Sequence, residues 1–394
     1  MKKKGGGKIM SNAKVKKLFI EQFKGFRNFN ISFEDDVNVL VGENGTGKTT
    51  LFEIIYNGLS GNKDYFKDES LTKIEIIVHL DGNDRTISII NDNEKIRLLI
   101  DNTETDSGND FFEKQKVLYF PADLAFRPYI VNGPTRMEEE EKDIKLNSDK
   151  ISKDLKQYIV NSRFLDLNDK DENKEGNRIG HLKTIFNSFF DDKEFVNIDA
   201  MTFEPTFRLK ETNEIITLDE LSLGEKQIFY KGCSLVQYTE NKGIIILVDE
   251  PEASLHPEWQ QKILDLYKNI NHNNQYLFAT HSPHIVSCCG KEKIRLIEKE
   301  ENILRLREDI GETYGATNED LLYDVFNLNS VRNIEVQENI DRYRDLYYRR
   351  DFISAEEREE LEQLREKLLA MKSLPKDFIP LLELEVSTQK LSEI

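Results

Sequence analysis

The sequence is poor in cysteine and lacks any long apolar run. Its three cysteines, Cys233, Cys288 and Cys289, show no metal-ligand spacing, and we interpret them as free thiols in a reducing cytosol. No apolar segment approaches the ~20 residues that are needed to span a membrane. The N-terminal stretch 1–14 is basic but lacks the apolar core of a secretion signal. These absences predict a cytoplasmic protein. The basic composition of residues 1–14 predicts a flexible tail there.

Basic residues are fewer than acidic ones in this sequence. The 394 residues include 55 lysines and arginines against 73 aspartates and glutamates, which gives a net charge of −18. This balance argues against a protein that wraps nucleic acid with a uniformly basic surface, but it leaves room for a local basic groove. The polar stretch 131–200 shows no heptad repeat, which argues against a long coiled coil and favours short helices and loops there.

Composition and periodicity divide the chain after the tail into four parts. They are an α/β lobe at 15–130, a polar helical insert at 131–200, a second α/β lobe at 201–310 and a helical region at 311–394. Strand patterns stop near Gly311, and helical spacing takes over from there. We expect Pro375 and Pro380 to break helical turns near the C-terminus.

The most informative stretch is Val37–Thr50, VNVLVGENGTGKTT. An apolar strand precedes the pattern G-x-x-x-x-G-K-[ST] at Gly42–Thr49 and a helical segment follows it, which is the context of a phosphate-binding loop. Glycines let successive N–H groups point at one anion, and the helix N-terminus adds its positive dipole end. We expect Lys48 to reach the β- and γ-phosphates of a nucleotide and the Thr49 hydroxyl to hold Mg²⁺. The residues assigned to ATP binding are Asn44, Gly45, Thr46, Gly47, Lys48, Thr49 and Thr50. Arg27, upstream of the loop, is assigned to the same nucleotide, with a solvent-facing turn arginine as the alternative.

Two further predicted strands end in polar side chains. Gly243–Glu250, GIIILVDE, has the pattern of a buried parallel strand, and ligands bind at the carboxyl ends of such strands. Asp249 is therefore expected to support the Mg²⁺ shell, and Glu250 to orient or deprotonate an attacking water. The buried strand Gln275–Thr280 ends at His281, for which we expect a polar contact to the γ-phosphate.

The segment Leu221–Gln227, LSLGEKQ, begins a predicted helix. Ser222 followed by Glu225 has the spacing of a capping box, which is a purely structural interpretation. A serine and a glycine at a helix N-terminus also suit an anion. The sequence leaves both interpretations open.

These elements stand in a fixed order, with the phosphate loop at 42–49, LSLGEKQ at 221–227, ILVDEPEASLHP at 246–257 and ATHSP at 279–283. Together they resemble the ABC-type ATPases of the SMC/RecF class over about residues 15–310. The resemblance implies an α/β fold, a P-loop ATPase head with a mixed sheet, an antiparallel β lobe and helices on both faces. It also implies ATP and Mg²⁺ as cofactors, a short helical insert, a C-terminal helical region and an ATP-dependent homodimer.

The resemblance also implies roles for single residues. Glu250 would be the catalytic base, and His281 would sense the γ-phosphate. Gln115 is the candidate for a glutamine that contacts Mg²⁺ in related ATPases, beside Thr49 and Asp249. The signature residues that would act on the nucleotide of the other subunit are Ser222, Gly224, Glu225 and Lys226.

The sequence departs from the family pattern at two positions. Leu223 stands where the signature usually has glycine, and His256 stands where the following loop usually has aspartate. The interval between Lys48 and Ser222 is too long for an ABC transporter subunit, and the insert is too short for a coiled-coil SMC protein. We find no nuclease constellation in the sequence, and a compact RecF-like head matches best.

The stretch TYGATNEDLLYDVFNLNSVRN and the helices after it resemble the stand-alone ATPases of bacterial anti-phage systems, most of all the PtuA-type ATPases of Septu and retron–Septu systems. This resemblance implies a sensor or regulator of a separate effector, an HNH-type nuclease, that docks on the C-terminal helices. The alternative is a RecF-like ATPase that closes on DNA in repair or replication, which requires a basic groove and salt-sensitive binding. A third hypothesis is a slowly hydrolysing scaffold in which ATP is mainly structural.

Overall fold

A computed structural model describes residues 13–106, 111–112, 117–122, 134, 144–145, 148–168, 178–239, 243–328, 332–371, 374 and 378–392. The chain divides into two compact units, Met1–Leu321 and Leu322–Ile394. Each unit has its own apolar core.

The first unit is built on a large mixed sheet. The strands of the described residues are β1 (Lys14–Phe23), β2 (Phe26–Ser32), β3 (Val37–Val41), β4 (Lys73–Leu80), β5 (Asn83–Asp92), β6 (Lys95–Ile100), β7 (Thr103–Thr105), β8 (Val117–Phe120), β9 (Ile144–Lys145), β10 (Lys193–Ile198), β11 (Pro205–Leu209), β12 (Ile215–Thr217), β13 (Ile245–Asp249), β14 (Gln275–Thr280), β15 (Ile294–Glu300) and β16 (Ile303–Arg307). β10, β11 and β12 form a separate antiparallel sheet. The other strands form one sheet of 13 strands in the order β7-β6-β5-β4-β1-β2-β16-β15-β3-β14-β13-β8-β9.

The large sheet changes character along its width. β15, β3, β14, β13 and β8 pair in parallel, whereas β2, β1, β4, β5, β6 and β7 pair antiparallel. This confirms the predicted mixed sheet with an antiparallel lobe. The pairs Val41–Thr280 and Asp249–Ala279 lie at the carboxyl ends of three neighbouring parallel strands. The phosphate loop, Asp249 and His281 therefore converge at one edge.

The complete burial of the three central strands explains why their sequences are so apolar. Every residue of β3, β13 and β14 is buried. A strand that is covered on both faces needs apolar side chains at successive positions rather than at alternate ones. Burial of apolar surface stabilises the fold by about 25 cal/mol per Å², so these buried strands stabilise the part of the sheet that carries the site.

Ten helices are present among the described residues. They are α1 (Lys48–Leu59), α2 (Ser148–Asn168), α3 (Arg178–Phe189), α4 (Leu223–Thr239), α5 (Pro257–Ile270), α6 (Pro283–Val286), α7 (Asn318–Asp324), α8 (Ile334–Tyr348), α9 (Ala355–Leu369) and α10 (Phe378–Ser392). Short 3₁₀ turns lie at Lys63–Phe66, Leu218–Glu220 and Lys291–Lys293. In this described part of the chain, no helix combines the length and the apolar character that crossing a membrane requires.

The region predicted as a polar helical insert differs in part from that prediction. α2 is 21 residues long rather than short. The region also ends in a strand, β10, which pairs with β11. Phe195 of β10 packs against Phe207 and Phe229, which lie beyond the insert. The strand therefore depends on distant contacts that its local sequence does not reveal.

The second unit contains helices α8, α9 and α10. Its core includes Tyr343, Leu346, Leu361 and Leu368. The expectation for Pro380 is wrong, because this proline lies in the first turn of α10 and the helix continues to Ser392. A proline in a first turn lacks only an N–H group that has no helical acceptor. Pro375 lies outside the described residues.

Candidate functional site

The phosphate loop joins the end of β3 to the start of α1. A Cβ on Gly42 would lie 2.4 Å from the carbonyl oxygen of Ile297, so only glycine suits this position. Gly47, the N-cap of α1, has φ +81° and no described side chain caps the helix. Because the first turn also lacks an acidic residue, the free N–H groups and the helix dipole favour an anion here.

Lys48 lies under this loop. Its Nζ donates hydrogen bonds to the carbonyl oxygens of Gly42 at 2.8 Å and Glu43 at 2.9 Å, and the residue is only 6% exposed. Burial lowers the pKa of Lys48 to about 8, and Asp249 and Glu250 partly oppose that shift. The ammonium is thus held where the phosphates of a nucleotide would replace the loop carbonyls as acceptors.

Thr49 and Asp249 form an oxygen pair suited to magnesium. The Thr49 hydroxyl donates to Asp249 Oδ2 at 2.6 Å. Asp249 is 3% exposed, and burial raises the pKa of its carboxyl despite the Thr49 hydrogen bond. Mg²⁺ prefers oxygen ligands and is usually held by one or two protein groups together with substrate phosphates and water. Thr49 and Asp249 therefore fit a magnesium ion whose other ligands would be phosphate and water oxygens.

Glu250 follows the last residue of β13 and adopts φ +48°, a left-handed conformation that is uncommon outside glycine. Its N–H group donates to the carbonyl oxygen of Ala279 at 2.9 Å, which fixes the turn against β14. The negative charge of Glu250 works to raise the pKa values of Lys48, Asp249 and His281. Its carboxylate therefore lies among the groups that the sequence assigns to ATP.

His281 begins the loop after β14. Burial lowers the pKa of its imidazole, the Lys48 charge lowers it further, and Glu250 and the Gly42 backbone oppose the change. The lowered pKa favours the neutral ring, whose single N–H group faces the backbone carbonyl of Gly42 in the phosphate loop. The phosphate loop, Lys48 and His281 are thus brought together, as the sequence predicts.

The signature segment forms the predicted capping box. Ser222 N–H donates to Glu225 Oε2 at 2.7 Å, and Glu225 N–H donates to Ser222 Oγ at 3.3 Å. Glu225 also pairs with Lys193 at 2.7 Å. The structural interpretation of LSLGEKQ is confirmed. Ser222 is exposed and Leu223 is 56% exposed, so both side chains are accessible to solvent.

The other predicted site residues lie in β2, in the signature segment, before α5 and in the phosphate loop. Arg27 is an exposed residue of β2, and its neighbour Phe26 packs against Gly47. Lys226 Nζ donates to the Asp219 carbonyl at 2.8 Å, and His256 caps α5. Gln115 lies outside the described residues. For the remaining members, Thr46 Oγ1 donates to Glu43 O at 2.8 Å, and Gly45 has φ +79° with open space around it. Asn44 lies between Gly42 and Gly45, and Thr50 lies in the first turn of α1.

Two charged residues near the site have no role assigned by the motifs. Glu252 lies in the loop after β13, and Lys231 lies in α4 within the apolar run IFYKGCSLV. A lysine inside such a run is the one sequence signal that could have revealed the second of them, because lysine is rarely fully buried unless paired.

We predict that Gly47→Ala strongly weakens nucleotide binding. The new Cβ would lie 2.6 Å from the Phe26 ring, and the φ of +81° is unfavourable for alanine. The control is Gly82→Ala, because Gly82 has a similar φ of +85° with nothing within 4 Å. A fluorescent ATP analogue measures binding, and thermal unfolding measures stability. Equal binding by both variants would contradict the assigned role of the loop.

A phosphate loop, a Thr–Asp pair suited to magnesium, a strand-end glutamate and a histidine lie at one edge of the sheet, which is the arrangement of a P-loop ATPase domain. Residues 37–287 match the family described as "AAA domain, putative AbiEii toxin, Type IV TA system", and the chain belongs to that family.

Two relatives and one solved structure are similar to this chain over most of its length. The chain is 27% identical to the Septu protein PtuA of Bacillus thuringiensis over 86% of this chain and 93% of that protein. It is 25% identical to the Septu protein PtuA of Bacillus mycoides over 90% of this chain, but it spans only 50% of that longer protein. Among solved structures, the SMC head domain from Thermotoga maritima matches with a TM-score of 0.50 and 16% identity, over 75% of this chain and 98% of that domain.

Proposed function

We propose that this chain binds ATP with Mg²⁺, hydrolyses it and dimerises around it. The observation that carries the proposal is the meeting of Lys48, Thr49, Asp249, Glu250 and His281 at the carboxyl ends of three adjacent parallel strands. The edge of a parallel sheet beside a phosphate loop is where α/β proteins bind nucleotides.

Each residue has a distinct role in this proposal. The loop amides and Lys48 bind the phosphates, and Thr49 and Asp249 hold Mg²⁺, which neutralises phosphate charge when bound. Glu250 orients a water and accepts its proton, since its carboxylate lies in the same cluster of charges. The neutral His281 donates a hydrogen bond to a phosphate oxygen, which fixes the reacting group without adding charge.

Dimerisation would place the signature residues of one subunit on the nucleotide of the other. The exposure of Ser222 at the start of α4 supports this, because its hydroxyl is reachable from outside the subunit. The same subunit uses Glu225 to stabilise that turn. The two interpretations of LSLGEKQ are compatible, since a capped helix start presents a rigid serine.

We predict that Ser222→Arg prevents ATP-dependent dimerisation while ATP affinity changes less than about threefold. The long cationic side chain blocks the approach of a second subunit. Ser354→Arg is the matched control, because Ser354 caps α9 with an equivalent capping box to Glu357. Light scattering after size-exclusion chromatography, with and without Mg-ATP, measures the mass. A dimer of normal stability in Ser222→Arg would remove the in-trans role.

The dimer would act as the sensor or regulator of a separate effector in the cytoplasm, in bacterial anti-phage defence. The similarity to proteins named Septu PtuA over most of the chain supports this setting. Exposed apolar side chains on the C-terminal helices support a docking surface there, including Ile334 at 77%, Leu381 at 57% and Leu384 at 64% exposure. The effector proposed from the resemblance of this region is an HNH-type nuclease, and this chain would have no nuclease activity of its own.

Affinity purification from the native host tests this proposal. Glu250→Gln protein is captured with Mg-ATP, co-purifying proteins are identified by mass spectrometry, and nucleic acid is assayed separately. Ser222→Arg in the same background is the control for dimer-dependent capture. A nuclease captured without DNA supports the effector role. DNA captured with repair or replication proteins, in a salt-sensitive manner, supports the RecF-like alternative instead.

A further inference from the structure

One face of β10 supports the start of α4. Lys193 and Phe195 are two residues apart in β10, so their side chains leave the same face of the strand. Glu225 and Phe229 are four residues apart in α4 and share one face of the helix. Lys193 Nζ lies 2.7 Å from Glu225 Oε1. The centroids of the Phe195 and Phe229 rings lie 5.4 Å apart. The strand and the helix therefore meet through one ion pair and one aromatic pair.

The carboxylate of Glu225 is buried, and each of its oxygens has its own partner. Oε2 accepts a hydrogen bond from the Ser222 N–H group at 2.7 Å, and Oε1 pairs with Lys193. The residue is only 5% exposed. A buried carboxylate that lacks an opposite charge is costly, so Lys193 supplies the charge that allows Glu225 to cap the helix. The signature serine is thus connected to β10 through the Glu225 side chain.

The capping box at the start of α9 shows that a helix start does not need such a lysine. Glu357 forms the same two hydrogen bonds with Ser354, at 2.9 and 3.1 Å. Its side chain is 32% exposed, and the Arg349 guanidinium lies 3.9 Å away, so water screens its charge. The buried pair at Glu225 therefore exceeds what helix capping requires, and it occurs at the helix that carries the predicted in-trans residues.

Lys193 is itself held in place. Its Nζ also donates to Asp192 Oδ2 at 2.6 Å, and the residue lies opposite Leu209 in β11. The Lys210 N–H group donates to the Asp192 carbonyl oxygen at 2.9 Å, which fixes the start of β10. A lysine has a flexible side chain, and contact with two carboxylates restricts it. Lys193 can therefore fix the position of Glu225 rather than merely follow it.

We propose that Lys193 is a positioning residue for the signature serine. It neutralises and holds Glu225, and Glu225 in turn fixes the Ser222 backbone for contact with the nucleotide of a second subunit. The inference rests on the proposed function, because it adds a residue to the proposed in-trans contact. The charge of ATP makes this role necessary. A Glu225 carboxylate without its cation would repel the triphosphate that Ser222 approaches, since like charges at short range in an interface are unfavourable.

Lys193→Met tests this role in two backgrounds. Methionine keeps roughly the length of the side chain and removes the cation, so we expect the dimer formed with magnesium and a non-hydrolysable ATP analogue to weaken about tenfold or more. The affinity of the monomer for the analogue should change less than about threefold, because Lys193 acts on the other subunit's nucleotide. In a Glu225→Gln background, Lys193→Met should weaken the dimer less than about threefold further, since the amide carries no charge to neutralise. Analytical ultracentrifugation measures the dimer dissociation constants. An equal loss in both backgrounds would overturn the proposal.

Lys156→Met is the matched control for a lost buried ion pair. Lys156 in α2 is 3% exposed and pairs with Glu204 at 3.0 Å, without contact to the signature segment. This variant should lower the thermal stability but change the dimer dissociation constant less than about threefold. Lys193→Gln replaces Lys193→Met if the latter fails to fold, and it should weaken the dimer to the same extent. Lys193→Arg retains a cation and should dimerise within about threefold of the wild type. Normal dimerisation without the cation, or equal weakening in Lys156→Met or Lys193→Arg, would contradict the role of Lys193.

Hydrogen exchange without nucleotide distinguishes this inference from the proposed dimerisation. The amides of Ser222 and Glu225 form the capping box, so the peptide that contains them should exchange faster in Lys193→Met than in the wild type and in Lys156→Met. A wild-type protein that stays monomeric with the analogue would defeat the proposed dimer, and faster exchange in Lys193→Met would still support the positioning of Ser222. A wild-type dimer together with unchanged exchange in Lys193→Met would leave the dimer supported and refute the positioning role.

Discussion

Lys48→Ala should weaken ATP binding at least a hundredfold. The variant loses the one buried ammonium group that contacts the phosphate loop among the described residues. A hydrogen bond to a charged group contributes about 1.5–3 kcal/mol, and loss of its Coulombic attraction to the phosphates adds to that. Isothermal titration calorimetry or a fluorescent ATP analogue measures the affinity directly.

The control for this variant is Lys262→Ala. Lys262 is exposed and forms an i,i+4 pair with Glu258, so its loss should change ATP affinity by less than twofold. Thermal unfolding without nucleotide should confirm that Lys48→Ala remains folded. Undiminished ATP affinity in Lys48→Ala would remove the phosphate-loop assignment.

Glu250→Gln should lower the rate of ATP hydrolysis a hundredfold or more while ATP stays bound. The amide keeps the size of the side chain but cannot accept a proton from water, and general bases contribute about 10²–10⁴-fold. The bound nucleotide then persists, so the variant should accumulate as a dimer with Mg-ATP. Phosphate release measures turnover, and light scattering measures mass.

Glu258→Gln serves as the matched control for Glu250→Gln, since it makes the same chemical change at an exposed position. It should hydrolyse ATP and dissociate like the wild type. Hydrolysis at the wild-type rate in Glu250→Gln would place the base elsewhere. A monomer in the presence of saturating Mg-ATP would contradict closure of a dimer around the nucleotide.

The central strands and the motifs at their ends could be predicted from the sequence for a physical reason. Buried parallel strands need continuous apolar runs, and catalytic groups must follow them at the carboxyl edge, so Val37–Val41 and Ile245–Asp249 carry both signals at once. The capping box of Ser222 and Glu225 was equally local, because it depends on a spacing of three residues.

Features that depend on distant contacts could not be predicted in this way. β10 exists because it pairs with β11 and packs Phe195 against Phe207 and Phe229. The hydrogen bonds from Thr280 and His281 to Glu252 join the end of β14 to the loop after β13, and no local spacing in the sequence predicts them. Tertiary packing, rather than propensity, decides such elements.

Mg²⁺-dependent phosphate release from ATP, measured for the wild-type protein and for Lys48→Ala purified in parallel, shows whether this site hydrolyses ATP. We expect steady release by the wild type that stops when Mg²⁺ is chelated and is absent from Lys48→Ala. Equal release by both proteins, or no release by a folded wild-type protein that binds ATP, would contradict the claim that this site hydrolyses ATP.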